Sequence, residues 1–142
     1  MQRLLTTPKA TYLLEAGLEV LHSQSNEWLS ELAFWRDESA FFYTLLVNKT
    51  VKFVPINAKS SIKGIEEELI RITGNDLSNL QTEVEQHEVF LTDLLESTYL
   101  KEENYRKRHE ELTLKFYQFE KRFKDLKREI FQLVGQIDKT DA

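Results

Sequence analysis

Three histidines, His22, His87 and His109, are the only imidazoles in this 142-residue chain, which has no cysteine. With no thiolate on hand, a transition-metal site here would draw on imidazole nitrogen and carboxylate oxygen, a donor set suited to zinc, iron or manganese. Glu19 lies three residues before His22, and Glu88 and Glu110 adjoin His87 and His109. The candidate metal set is therefore His22, His87, His109 and Glu19. Its spacing departs from the Glu-x-x-His signature of ferritin-like di-iron bundles. Val84 and Arg106 occupy the positions three residues before His87 and His109. Acids directly adjacent to a helical histidine also point about 100° away from it.

Two other readings use the same residues. Inward-facing histidines can form a polar layer that fixes helix register at some cost in stability. They can also form a pH-responsive layer, because imidazole titrates near neutrality. The structural layer is the preferred reading. The expectation is no resident cofactor, with zinc, iron or manganese as the alternative.

Other catalytic patterns are absent from the sequence. It has no phosphate-cradling glycine loop, no Gly-x-Ser-x-Gly elbow, no His-Glu-x-x-His pair and no dinucleotide fingerprint. Glu38, within "FWRDESAFF", could serve as an acid or base if held in an apolar pocket. The simpler reading puts Arg36, Asp37 and Glu38 on the solvent side of a helix whose aromatics face elsewhere. A non-enzymatic protein is expected over an enzyme.

The elements that must position these residues are helices. Leu112, Phe116, Phe119, Phe123, Leu126, Ile130, Leu133 and Ile137 alternate by four and three residues. That is the a/d stripe of a helix bundle or coiled coil. Traced upstream, it reaches His109 and Tyr105. The first third holds a similar alternation from Leu14 through Leu18, Leu21, Ser25, Trp28, Leu32, Trp35, Ser39 and Phe42 to Leu46. Thr7 and Pro8 make a plausible N-cap and first turn. One continuous helix is preferred over two segments broken near residues 23–26.

In the middle third, Ile62, Ile65, Leu69 and Ile72 form one stripe. Leu77, Leu80, Val84, His87, Leu91 and Leu94 form another. Between them Gly74 could end a helix with Asn75 or Asp76 capping the next. A kink or stutter in a continuous helix would serve as well. "VPINAKSS" reads as a loop with a cap at Ser60 or Ser61, and a tight turn is expected over Ser97–Lys101.

The predicted fold is all-α: an up-down-up antiparallel bundle of three long helices, about 8–53, 60–98 and 101–138, forming a single domain over 1–142. Similar helix lengths favour this hairpin arrangement over one extended rod. In it, all three histidines fall within roughly 9 Å along the bundle axis at the helical rise per residue.

Composition bounds the setting. The charged fraction is 30% and the hydrophobic fraction 41%, too apolar for disorder and too polar for a membrane protein. No apolar run approaches the roughly 20 residues needed to span a bilayer, and no secretion signal is expected from "MQRLLTTPKATYLL", which lacks an apolar core and a small-residue cleavage site. The lack of cysteine fits a reducing compartment, so a cytoplasmic protein is expected. A net charge of −5 makes nucleic acid an unfavoured partner. Lys107, Lys121, Arg128 and Lys124 do form a basic face on the last helix, a lower-ranked site for nucleic acid or a membrane surface. Interleaved acids argue that it is an ordinary solvated face.

The first helix carries more apolar residues than a three-helix bundle needs. Leu13, Val20, Phe34 and Phe41 share one heptad position outside the a/d stripe, and Leu45 adds to the same flank. A core-facing helix needs an apolar stripe only about 100° wide. An uncovered surplus of this kind marks an interface. The expected function is protein–protein association through Leu13, Val20, Phe34, Phe41 and Leu45. The partner is a second copy, as a homodimer, or another helical protein.

Overall fold

The structure, a computed structural model, describes the backbone of residues 10–50, 56–95 and 102–141 and the side chains of residues 17–49, 61–93 and 102–138. The described residues form helices α1 (Ala10–Thr50) and α2 (Ile56–Arg71), a π-helical turn (Ile72–Leu77), and helices α3 (Ser78–Leu95) and α4 (Glu102–Asp141), with no strand among them. α2, the π turn and α3 run on as one middle helix. No described helix is long and apolar enough to cross a membrane.

Contacts between named residues fix the direction of each helix. His22 and Arg36 of α1 meet Glu88 and Gln81 of α3, so α1 and the middle helix run antiparallel. His87 meets His109 and Asp76 meets Arg122, so the middle helix and α4 are antiparallel too. Gln24 meets His109, Glu38 meets Lys127 and Lys49 meets Asp138, so α1 and α4 run parallel. This is the up-down-up bundle that the stripe pattern predicts.

The apolar stripes supply the core. Trp28, Leu32, Trp35, Phe42 and Leu46 of α1 are buried against Leu112, Phe116, Phe119, Phe123, Leu126 and Ile130 of α4, with Ile62, Leu69, Leu77, Leu80 and Val84 closing the third side. Aromatic rings stack through the middle. Trp28 lies on Phe116 at 5.6 Å between centroids, Phe116 on Trp35 at 5.3 Å, and Trp35 against Phe123 at 5.8 Å. Such pairs contribute about 0.5–1.5 kcal/mol each beyond the area they bury.

The middle helix solves a spacing problem. Its buried positions step from Ile72 to Leu77, five residues, where a regular a/d stripe would step four. The π turn over Ile72–Leu77 takes up the extra residue. Both stripes therefore stay on the core side. Gly74 and Asn75 sit exposed at the crest. No described residue, Gly74 included, has a positive φ, so Gly74 is not the left-handed cap of a helix end. The stutter in a continuous helix, not a break capped by Asn75 or Asp76, is what forms.

Other boundaries differ from the sequence expectation. α2 begins at Ile56, directly after Pro55 in the chain, so Ser60 and Ser61 lie inside a helix and do not cap its start. α1 is unbroken through residues 23–26, because Ser25 is fully buried on the inward stripe. α4 continues to Asp141. The proposed Thr7–Pro8 start and the Ser97–Lys101 turn lie outside the described residues.

Candidate functional site

The inward stripes carry His87 and His109 into one contact. Both are buried, at 2% and 4% exposure. His87 Nε2 and His109 Nδ1 are 3.0 Å apart, and His109 Nε2 is 2.8 Å from Gln24 Oε1. Because the amide oxygen can only accept, His109 carries its proton on Nε2. Its bare Nδ1 then accepts the proton of His87 Nε2. The relay ends at His87 Nδ1, which is buried and has no hydrogen-bond partner. Turning the Gln24 amide over reverses every donor in the chain and still leaves His87 Nδ1 alone.

Flat rings sandwich the pair. Tyr105 stacks on His87 at 4.2 Å between centroids with planes 4° apart, and Trp28 stacks on His109 at 4.7 Å. Burial is the main force that lowers the His87 pKa to about 4, with help from His109 and Arg108. Burial, then Arg106, lowers His109 to about 4. Burial, then the Glu88 carboxylate, raises Tyr105 to about 12, against an opposing pull from the Ser25 hydroxyl and Arg106. All three side chains are therefore neutral at pH 7. The layer falls where the core divides: the long cluster from Trp28 to Ile137 lies on one side, and Leu18, Leu91 and Tyr105 lie on the other.

His22 does not join them. It sits half-exposed on the outer shoulder of α1, with Nδ1 against Glu88 Oε1 and Nε2 3.3 Å from the Asn26 amide. Glu19, His22 and Glu88 line an open cleft of about 610 Å³ between α1 and α3, walled by Leu18 and Leu91. Among the described residues no three His, Cys, Asp or Glu side chains gather closely enough to hold a metal ion. Of the sequence-derived metal set, the fold brings together His87 and His109, and separately Glu19 and His22. Glu110 is exposed. Axial height was the basis for grouping the histidines, and height alone does not decide which groove a side chain enters.

The outer face of α1 is as apolar as its sequence suggests. Val20, Phe34 and Phe41 are 59%, 60% and 63% exposed. Leu45 is half-buried and packs on the core. Leu13 lies outside the residues whose side chains are described. The sequence reading missed what α4 adds. Leu114, Tyr117 and Phe131 are 60%, 63% and 59% exposed. The ring of Phe42 makes edge-on pairs with Phe41 and with Phe131, at 5.6 and 5.5 Å between centroids. Tyr117 helps line the groove between α1 and α4 together with Glu27 and Glu31. A signal was present: Tyr117, Lys124 and Phe131 recur at seven-residue spacing, as Val20, Glu27, Phe34 and Phe41 do. Two heptad stripes thus border one groove.

Charged candidates find ordinary partners. Glu38 pairs with Lys127 at 3.2 Å, and Arg36 donates to Ser78 and Gln81. On the basic face, Lys121 and Arg128 reach Asp125, and Lys124 reaches Glu120. Compared with family models, with characterised proteins and with solved structures, the chain matches none.

Proposed function

We propose that this protein acts by binding rather than by catalysis, as a helical bundle that self-associates through the outer face of α1 and α4. The observation that carries this reading is the exposed apolar band of Val20, Phe34 and Phe41 on α1 with Tyr117 and Phe131 on α4. Single exposed apolar residues are common and need no explanation. Large apolar side chains repeated at heptad spacing along both rims of one groove are exposed surface of the kind that marks an interface. Fully burying each such side chain stabilises an assembly by roughly 1.5–3 kcal/mol before the entropy of association is subtracted.

The histidine layer fits this reading as an internal device. Polar groups with one satisfactory pairing penalise alternative registers of the helices. Replacing Phe34 and Phe41 together, as Phe34→Glu with Phe41→Glu, is expected to turn a dimer into a monomer in light scattering while circular dichroism stays helical. An unchanged mass would remove the α1 face from consideration.

A further inference from the structure

We propose that the cleft between α1 and α3 binds a small organic amine, its ammonium held at the inner wall by Glu88, Ser25 and Tyr105 and its apolar body lying along Leu18, Val89 and Leu91. This goes beyond the self-association proposed above and uses a different side of the bundle from the α1/α4 groove.

The cleft, of about 610 Å³, is lined by Leu18, Glu19 and His22 of α1 and by Glu88, Val89 and Leu91 of α3. That volume is in the range that holds one small molecule. No lysine or arginine stands among its described lining residues. Arg106, which acts on Tyr105, is itself paired with Glu102.

Polar groups stand unpaired behind the wall. Among the described residues six buried side-chain polar atoms lack a hydrogen-bond partner, and four of them belong to Ser25, His87, Glu88 and Tyr105. Ser25 and Tyr105 are fully buried. Tyr105 packs in one cluster with Leu18 and Leu91, the two leucines that wall the cleft. Its hydroxyl pKa is pushed up to about 12 by burial and then by the Glu88 carboxylate, and is drawn back by the Ser25 hydroxyl. Such an influence needs the three groups, one from each helix, to be close neighbours. Polar groups are costly to bury unpaired, and their convergence beside an apolar cavity marks a binding site.

The chemistry of the occupant follows from these groups. Glu88 engages His22 through Oε1 and leaves Oε2 open. A carboxylate can only accept, and Glu19 and Glu88 together would repel an anion. No metal-holding set of three side chains gathers among the described residues. Water brings two protons and no charge to set against two carboxylates. An ammonium brings a positive charge and three N–H donors, one each for Glu88 Oε2, Ser25 Oγ and Tyr105 Oη. The leucines and the exposed Val89 then cover a hydrocarbon body.

Phenethylamine is a suitable probe, titrated into the full chain at neutral pH and followed by amide chemical shifts in nuclear magnetic resonance spectra. Saturable shifts are expected at Leu18, His22, Glu88 and Leu91. Phenylethyl alcohol, which keeps the body and lacks the charge, should bind at least tenfold more weakly. Glu88→Gln and Tyr105→Phe should each weaken the amine severalfold or more. Both changes keep the shape of the side chain, so circular dichroism should remain helical. If either variant unfolds, Glu19→Gln at the exposed mouth of the cleft carries the test, with a smaller loss expected. Equal binding of amine and alcohol, or full-strength binding in the folded variants, would overturn the proposal. So would the absence of saturable shifts at millimolar phenethylamine. Tighter binding of Nα-acetyl-lysine amide than of phenethylamine would overturn the small-molecule assignment. The Phe34→Glu, Phe41→Glu variant, whatever its mass, should bind the amine as the wild type does, so the two proposals fail separately.

Discussion

At the residue scale, the buried imidazoles make a prediction whose sign follows from their environment. Both are lowered from 6.5 to about 4. Between those values the unfolded chain binds protons that the folded chain refuses, so stability falls as pH drops from about 6.5 toward 4. Arg106 and Arg108 of α4 reinforce the refusal. Gln24 of α1 is neutral, and the Glu83 carboxylate of α3 is engaged by Arg108. Glu88, the other carboxylate of α3 near this layer, is taken up with His22. Between pH 7 and pH 5 the wild type should lose about 2–4 kcal/mol of unfolding free energy in urea titrations. A His87→Gln, His109→Gln double variant should lose much less, with the exposed His22 present in both. Equal slopes would mean the pair is not held neutral by the fold. That His87 and His109 face inward was legible from stripe phase. That they meet each other, apart from His22, was not. Pairing depends on which groove each side chain enters, and a heptad pattern does not specify the helix packed against each groove.

At the element scale, regular four-three spacing was enough to read three helices, their order and most of the core. What the spacing could not decide was how the chain absorbs its one irregularity. The five-residue step from Ile72 to Leu77 is consistent with a break, a kink or a bulge, and the π turn is chosen because it keeps Leu77 and Leu80 buried without interrupting the backbone ladder. Deleting Gly74 should therefore restore a four-residue step and leave the fold intact. Inserting an alanine beside it should rotate α3 by about 100° and lower the melting temperature markedly. Circular dichroism melts separate the two outcomes, and a collapse on deletion would contradict the spacing argument. Gly64 and Gly135 sit in α2 and α4 with nothing near an added Cβ. Replacing either with alanine should stabilise the fold by about 0.4–1 kcal/mol. Gly17 differs, because a Cβ there would meet the Arg106 guanidinium at 3.2 Å, so Gly17→Ala should give no such gain. Ser60 and Ser61 lie inside α2, so a residue type favoured at helix caps does not by itself mark where a helix starts.

At the scale of the whole molecule, the three-helix packing closes a core and leaves one face greasier than a solitary bundle requires. The sequence exposed half of this: Val20, Phe34 and Phe41 stand off the a/d stripe of α1. The other half, Tyr117 and Phe131, carries only a seven-residue spacing interrupted by Lys124 in the sequence, and it gains meaning from α4 lying parallel beside α1. Under the proposed self-association, the contact surface is the sum of the two rims and not either helix alone. Light scattering of the full chain across a range of micromolar concentrations tests this most directly. Self-association through the groove predicts a mass near twice the 16.8 kDa of one chain, reverting to the single-chain value in the Phe34→Glu, Phe41→Glu variant. A wild-type mass of one chain throughout would contradict it.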